Sequence, residues 1–190
     1  MNKEKIIKIF LKYKEPSQAL INFLEEHTEI IYYPKKTKLL KEGQISQHIY
    51  FILSGSIRIH SYDREGNNQT SSLLFENDLV LSVFSFFSNK PSVEAIETIE
   101  DCEIIKISKK QLEKIYEDFP EFNHFGRRMT VEYYINSEKR IYNLRMLSAK
   151  DRYFQFTAEN KQVLKRIPLI YIASYLGINL STLSRIRANT

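Results

Sequence analysis

The sequence predicts an α+β chain: an N-terminal β barrel of jelly-roll type with flanking helices, one long helix, and a small C-terminal helix-turn-helix. Three observations carry this prediction. Between Glu29 and Ser108, short apolar stretches recur at roughly eight-to-twelve-residue spacing with turn residues between them, as in antiparallel sandwiches. From Glu121 to Leu147 nothing breaks a helical pattern except a tolerable Gly126. From Ile167 to Arg187, two short apolar stripes of helical period meet at Gly177. The predicted units are residues 1–120, 121–147 and 148–190.

Residues 3–26 read as helical. Ile6, Ile7, Phe10 and Leu11 form one stripe, Pro16 interrupts, and Ala19, Leu20, Phe23 and Leu24 form another. The strand period begins at Ile30–Tyr33, turns at Pro34-Lys-Lys, and continues over Thr37–Leu40 to a turn at Glu42-Gly43. His48–Leu53 is apolar enough to be buried on both faces. After Gly55, Ile57 and Ile59 alternate with Arg58 and His60. Residues 64–68 form a hairpin tip, and Thr70–Phe75 returns. Ser82–Phe87 reads as one helical turn. Val93, Ala95, Ile96 and Ile99, then Ile104, Ile105 and Ile107, supply two strands around Glu100-Asp101. Ser108 caps a helix running to Tyr116, and Asp151–Ala158 is a further short helix.

Within residues 121–147, Gly126, Met129, Tyr133, Asn136, Arg140, Asn143 and Leu147 step by three and four, a coiled-coil register. Such a helix either packs into the core or forms a dimer seam. The seam reading takes Phe122, Met129, Tyr133, Asn136 and Arg140 as contacts. In the last segment, Ile172, Ala173 and Leu176 make one stripe and Leu183 with Ile186 the next. Gly177 supplies the left-handed helix end and Asn179 the following cap. Apolar residues hold the angle while Ser, Thr and Arg stay outside, the layout of a DNA-binding helix-turn-helix; an ordinary helical hairpin is the alternative.

The 190 residues are 43% hydrophobic and 13% aromatic, enough for a core. The net charge of +5 is uneven: residues 122–190 hold twelve Lys/Arg against four Asp/Glu, and the first 121 hold sixteen against nineteen. A basic C-terminal third suits a polyanion. Cys102 is the only cysteine, so no disulfide framework or cysteine metal cluster is expected. His27, His48, His60 and His124 lie in separate elements without metal-ligand spacing, and no nucleophile elbow, phosphate loop or His-Glu-x-x-His occurs. A non-enzymatic protein without metal or cofactor is expected. The charged N-terminus and short apolar runs predict a cytoplasmic chain with no membrane partner.

Glu42-Gly43 with Ile49–Ile59, Asn136-Ser-Glu-Lys139, and Ile172–Gly177 through Leu183–Ile186 together resemble the Crp/Fnr family of bacterial transcription regulators, in order and over nearly the whole chain. The resemblance implies a cyclic-nucleotide-binding-like domain, a homodimer, double-stranded DNA as partner, RNA polymerase and an unknown small-molecule effector as further partners. In nucleotide-binding members a Gly-Glu and, about ten residues on, an Arg-Ser hold ribose and phosphate; here those positions hold Leu81-Ser82 and Ser92-Val93. Without the cation a phosphate would lose several kcal/mol, so cyclic AMP is not the expected effector. The remaining candidate effector pocket is Ser82, Phe84, Ser92, Val93, Asn136 and Ser137, with Phe86 and Phe87 nearby. In the recognition helix the family's guanine-reading Arg and its Glu are replaced by Leu180 and Ser181. Ser181, Ser184 and Arg185 are expected at base edges, Leu180 at a thymine methyl, and Thr182, Arg187, Lys165 and Arg166 at phosphates. The sequence stops at Thr190, so a truncated wing is expected. The rival is a small-molecule-binding or protein-interaction module with a decayed DNA head.

Overall fold

The computed structural model describes Ile7 and residues 10–188. Part of the first expected helix therefore lies outside the described residues; Pro16 does separate Phe10-Leu11 from α1 (Gln18–His27), which Ser17 caps by accepting from the Leu20 N–H. Eight strands follow: β1 (Glu29–Tyr33), β2 (Lys38–Leu40), β3 (His48–Ser54), β4 (Ile57–Tyr62), β5 (Asn68–Leu74), β6 (Leu79–Val80), β7 (Ala95–Thr98) and β8 (Cys102–Ser108). A short α2 (Val83–Ser88) lies between β6 and β7. The C-terminal part is helical: α3 (Lys109–Asp118), α4 (Phe122–Met146), α5 (Ala149–Glu159), α6 (Val163–Arg166), α7 (Leu169–Tyr175) and α8 (Leu180–Ala188). Ser108 opens α3 with a reciprocal capping box to Gln111, and Ser148 caps α5 through the Asp151 N–H. The two-residue β6 and single-turn α6 are too short to give a periodic signal, and the sequence reading missed both.

The strands form two four-stranded antiparallel sheets, ordered β1-β8-β3-β6 and β2-β7-β4-β5. Alternation along a strand sends neighbouring side chains to opposite faces. In β3, Tyr50 and Ile52 join Ile57, Ile59, Ile96 and Ile104 in one cluster, while Ile49 and Phe51 join Ile105, Ile107 and the helices. This second cluster brings in Leu20 and Leu24 of α1, Leu112 and Ile115 of α3, and Phe122 and Phe125 of α4. Hence β3 and β8 are apolar on both faces.

On β4 the polar residues of the alternation are covered as well as the apolar ones. Arg58 and His60 are buried, at 7% and 2% exposure. Strand periodicity cannot see what covers a sheet, and here α7 does. Tyr171 stacks its ring 3.8 Å from the Arg58 guanidinium, and the Ser174 hydroxyl accepts from the Thr70 N–H and donates to the Asn68 carbonyl. Leu73 and Ile99 of the β domain complete a cluster with Tyr153, Phe156, Val163, Ile167, Ile172, Ala173, Leu176 and Leu183. The C-terminal helices thus share a core with the sheet they cover.

Candidate functional site

Two regions concentrate the expected functional residues. In the β domain, Ser82 precedes α2 and Ser92 follows it, and the fold brings them together. Their hydroxyls are 3.0 Å apart and both are buried. Ser82 donates to the Glu94 carboxylate at 3.1 Å, Ser71 approaches its other oxygen at 3.4 Å, and Ser92 donates to the Glu94 carbonyl at 2.9 Å. Glu94 was not anticipated; its place two residues after Ser92 was the only clue. A carboxylate at this spot repels a phosphate, which reinforces the argument from the missing arginine. Phe84 and Val93 do not line the pocket: they are 56% and 64% exposed, and Phe86 alone of the α2 aromatics is buried. Asn136 is exposed, and Ser137 donates back to the Tyr133 carbonyl within α4.

At the other end, α7 and α8 meet at Gly177, whose φ of +65° is left-handed and whose added Cβ would sit 3.2 Å from Leu144. Asn179 caps α8: its side-chain oxygen accepts from the Thr182 N–H and the Ser181 hydroxyl, both at 2.8 Å. Ala173 and Leu183 are buried between the helices. Leu180, Ser181, Ser184, Arg185 and Arg187 face solvent, as does Lys165 on α6, while Thr182 is half-buried. Ser184 donates to the Leu180 carbonyl, and Arg185 reaches Thr182 at 3.3 Å. Arg166 departs from the expected set. It is not free to meet a phosphate, because Glu76 and Glu100 of the β domain both hold its guanidinium at 2.7 Å.

The sequence matches the cyclic nucleotide-binding domain over residues 30–119. No curated protein matches the chain by sequence. Solved structures match over nearly all of it. The c-di-GMP-responsive global regulator CLP of Xanthomonas campestris is 15% identical, with 91% of each chain covered and a TM-score of 0.72. FixK2 of Bradyrhizobium japonicum is 19% identical, over 85% of this chain and 83% of its own, with a TM-score of 0.73. A protein of Eubacterium rectale assigned as a Crp/Fnr transcriptional regulator is 18% identical, over 94% and 85%, with a TM-score of 0.71. The chain has the Crp/Fnr fold, a cyclic nucleotide-binding domain followed by helices. Among the described residues no helix is long and apolar enough to cross a membrane, and no three His, Cys, Asp or Glu side chains gather to hold a metal.

Against that domain, α4 turns a different face from the one its register suggested. Phe122 is 3% exposed and packs edge-on against Phe10 and Tyr116; Met129 packs beside it on the same cluster. Arg140 also faces inward, donating to the Tyr175 carbonyl at 2.9 Å and stacking on its ring at 3.9 Å. These three residues are therefore intramolecular contacts. The large apolar residues left exposed on α4 are Val131, Tyr133, Tyr134, Ile135, Ile141, Tyr142, Leu144 and Met146, 40–67% exposed. Val131, Ile135, Tyr142 and Met146, at spacings of four, seven and four, share one face.

The cyclic nucleotide-binding domain also holds a titrating network under α7. Arg58 donates to Glu97 at 3.0 Å and to Asn68 at 2.9 Å. His60 pairs its Nδ1 with the Asn68 amide at 2.8 Å and sets Nε2 3.3 Å from Glu97. Burial, then the Arg58 and Lys38 charges, push the imidazole below its ordinary value, outweighing the pull of Glu97. The unfolded chain then takes up the proton first, so stability falls as pH drops below about 6.5. His60→Gln should flatten the stability slope between about pH 5 and 7 by up to one proton, roughly 1.4 kcal/mol per pH unit. Urea titrations at several pH values measure this, and an unchanged slope would remove His60 from the account.

Proposed function

We propose that the chain is a homodimeric, sequence-specific DNA-binding regulator whose β domain, a jelly roll by its strand order, serves an effector other than a cyclic nucleotide. The observation that carries this reading is the exposed face of α8. Leu180, Ser181, Ser184 and Arg185 stand out while Leu183 anchors the helix against α7, so α7–Gly177–α8 acts as a helix-turn-helix. Ser181, Ser184 and Arg185 meet base edges, Leu180 a thymine methyl, and Arg187, Thr182 and Lys165 phosphates. We assign the dimer seam to the exposed stripe of α4 that holds Val131, Ile135, Tyr142 and Met146. Two heads about 34 Å apart then read a pseudo-palindrome.

Selection from a random duplex library tests this. An enriched palindrome is expected, and Arg185→Ala should weaken binding to it about 10- to 100-fold while relaxing preference at one position per half-site. No enriched sequence, or indifference to Arg185→Ala, would sink the reading. A titration at several salt concentrations separates base reading from phosphate attraction, since only the latter falls steeply with salt. One observation favours a second reading, a small-molecule-binding or interaction module with a decayed head. The head is fastened to the β domain by Arg166 and by the Tyr171–Arg58 stack. Failure to enrich any duplex would select that alternative.

A further inference from the structure

A cleft of about 360 Å³, counting its mouth, lies between α4, α5 and the end of α7, away from both α8 and the Ser82–Ser92 pair. Its walls include Arg140, Asn143, Arg152, Gln155, Phe156 and Tyr175. The two arginines are held by neutral partners only. Arg140 donates through Nη2 to the Tyr175 carbonyl at 2.9 Å and the Thr70 carbonyl at 3.4 Å. Arg152 donates through Nε to the Leu176 carbonyl at 2.8 Å and through Nη1 to the Leu147 carbonyl at 2.7 Å. Among the described residues neither forms an ion pair, and the two guanidiniums keep N–H groups beyond these carbonyl bonds and the Tyr175 side chain that also faces Arg140. The one carboxylate on the wall, Glu159, is neutralised by Lys139 at 2.6 Å and further bonded by Gln155. Each guanidinium therefore feels the other's charge, in addition to the burial that disfavours the charged form of Arg140. An oxyanion between them would offset that repulsion and take the free N–H groups in fork geometry.

We propose that this cleft is a binding site for a small organic oxyanion, a carboxylate or a phosphate ester, with its uncharged part against Phe156 and Tyr175. Asn143 and Gln155 supply neutral hydrogen bonds at the rim. The ligand would act on geometry as well as charge. Arg152 ties the carbonyl that ends α4, at Leu147, to the carbonyl before the Gly177 turn, at Leu176. Filling the cleft fixes the long helix against the α7–α8 unit. The binding claim stands on the cleft alone; only its consequence for DNA rests on the regulator reading.

Titration calorimetry and thermal melting of the full chain test it, with inorganic phosphate, pyrophosphate and citrate as probes at constant ionic strength and chloride as control. Saturable binding of at least one probe, with a rising Tm, is expected. Preference for pyrophosphate or for citrate assigns the phosphate or carboxylate class. Gln155→Glu places a competing carboxylate beside the arginines without touching their carbonyl bonds. It should lower probe affinity at least tenfold; because it also removes the Gln155–Glu159 bond, its melting without probe is measured beside the parent's, so that affinity is compared only where both chains are folded. Arg185→Ala, on the exposed face of α8, should leave probe affinity unchanged. No saturable binding, equal binding by Gln155→Glu, or loss in Arg185→Ala would each overturn the assignment. Duplex binding is measured in parallel, so a chain that takes the anion but no duplex keeps this site and loses the regulator reading.

Discussion

Replacing Ile135 and Tyr142 together with aspartate is expected to turn the proposed dimer into a monomer and to weaken binding to the proposed operator roughly 10²- to 10⁴-fold. Both side chains lie on the outward stripe of α4, at 58% and 60% exposure, with Val131 and Met146 along the same face. Full burial of one large apolar side chain contributes about 1.5–3 kcal/mol, and a two-fold axis counts each contact twice. Four buried carboxylates at the seam would reverse the sign of that contribution. DNA binding falls with it because the second head loses its effective concentration near the second half-site. Sedimentation gives the mass and a duplex titration gives the affinity. Tyr133→Asp, on the opposite side of the helix, is the control and should leave both unchanged. If it dissociates the dimer while the double variant does not, the seam follows the register read from the sequence instead.

Arg166→Ala is expected to lower stability by about 2 kcal/mol and to alter the acid limb of unfolding. Its guanidinium donates twice to Glu76 and three times to Glu100, and lies 5.5 Å from the Phe75 ring. Without it two neighbouring carboxylates of the β domain lose the cation that α6 brings to the joint. The side chains keep 26%, 35% and 29% exposure, so solvent screens part of the repulsion between the two carboxylates. Hydrogen bonds from Arg166 hold Glu76 below the ordinary carboxylate range. For Glu100, burial pushes up, but Arg166 and Ser56 together bring it below the same range. Folded values below the unfolded one mean that this stabilisation is present above about pH 4.5 and is lost as pH falls through the folded values. In Arg166→Ala that acid-side loss should shrink or reverse, and Glu76→Gln added to it should recover part of the stability. An unchanged acid limb would show that the pair contributes nothing at this joint.

Much of the fold was legible because its signals are local. Ser108 with Gln111, Ser148 with Asp151, and Asn179 with Thr182 are caps made within three residues, and each begins a helix where the sequence placed one. Gly177 takes its left-handed φ for the same local reason. The candidate sites were less legible. Ser82 and Ser92 are ten residues apart and meet as expected from the resemblance, but Glu94 as their common acceptor needed the fold. Phe84, named for its place near Ser82, and Val93, carried over with Ser92 from the resemblance, are both largely exposed, which neither argument addressed.

The sequence by itself determined the kinds and order of the elements: period-two stretches, a long unbroken helix, and a glycine turn between two short helices. Only the tertiary structure decided which face of each element is covered. Arg166 meets Glu76 across 90 residues of chain, and Tyr171 lies on Arg58 across a similar span. Met129, Arg140 and Val131 lie on one helix with apolar and polar positions intermixed, so its period alone did not tell a covered face from an exposed one. Where α3, α7 and the sheets lie against α4 decides which positions are covered. Capping and period are energies of neighbouring residues, whereas burial depends on chain that arrives from elsewhere.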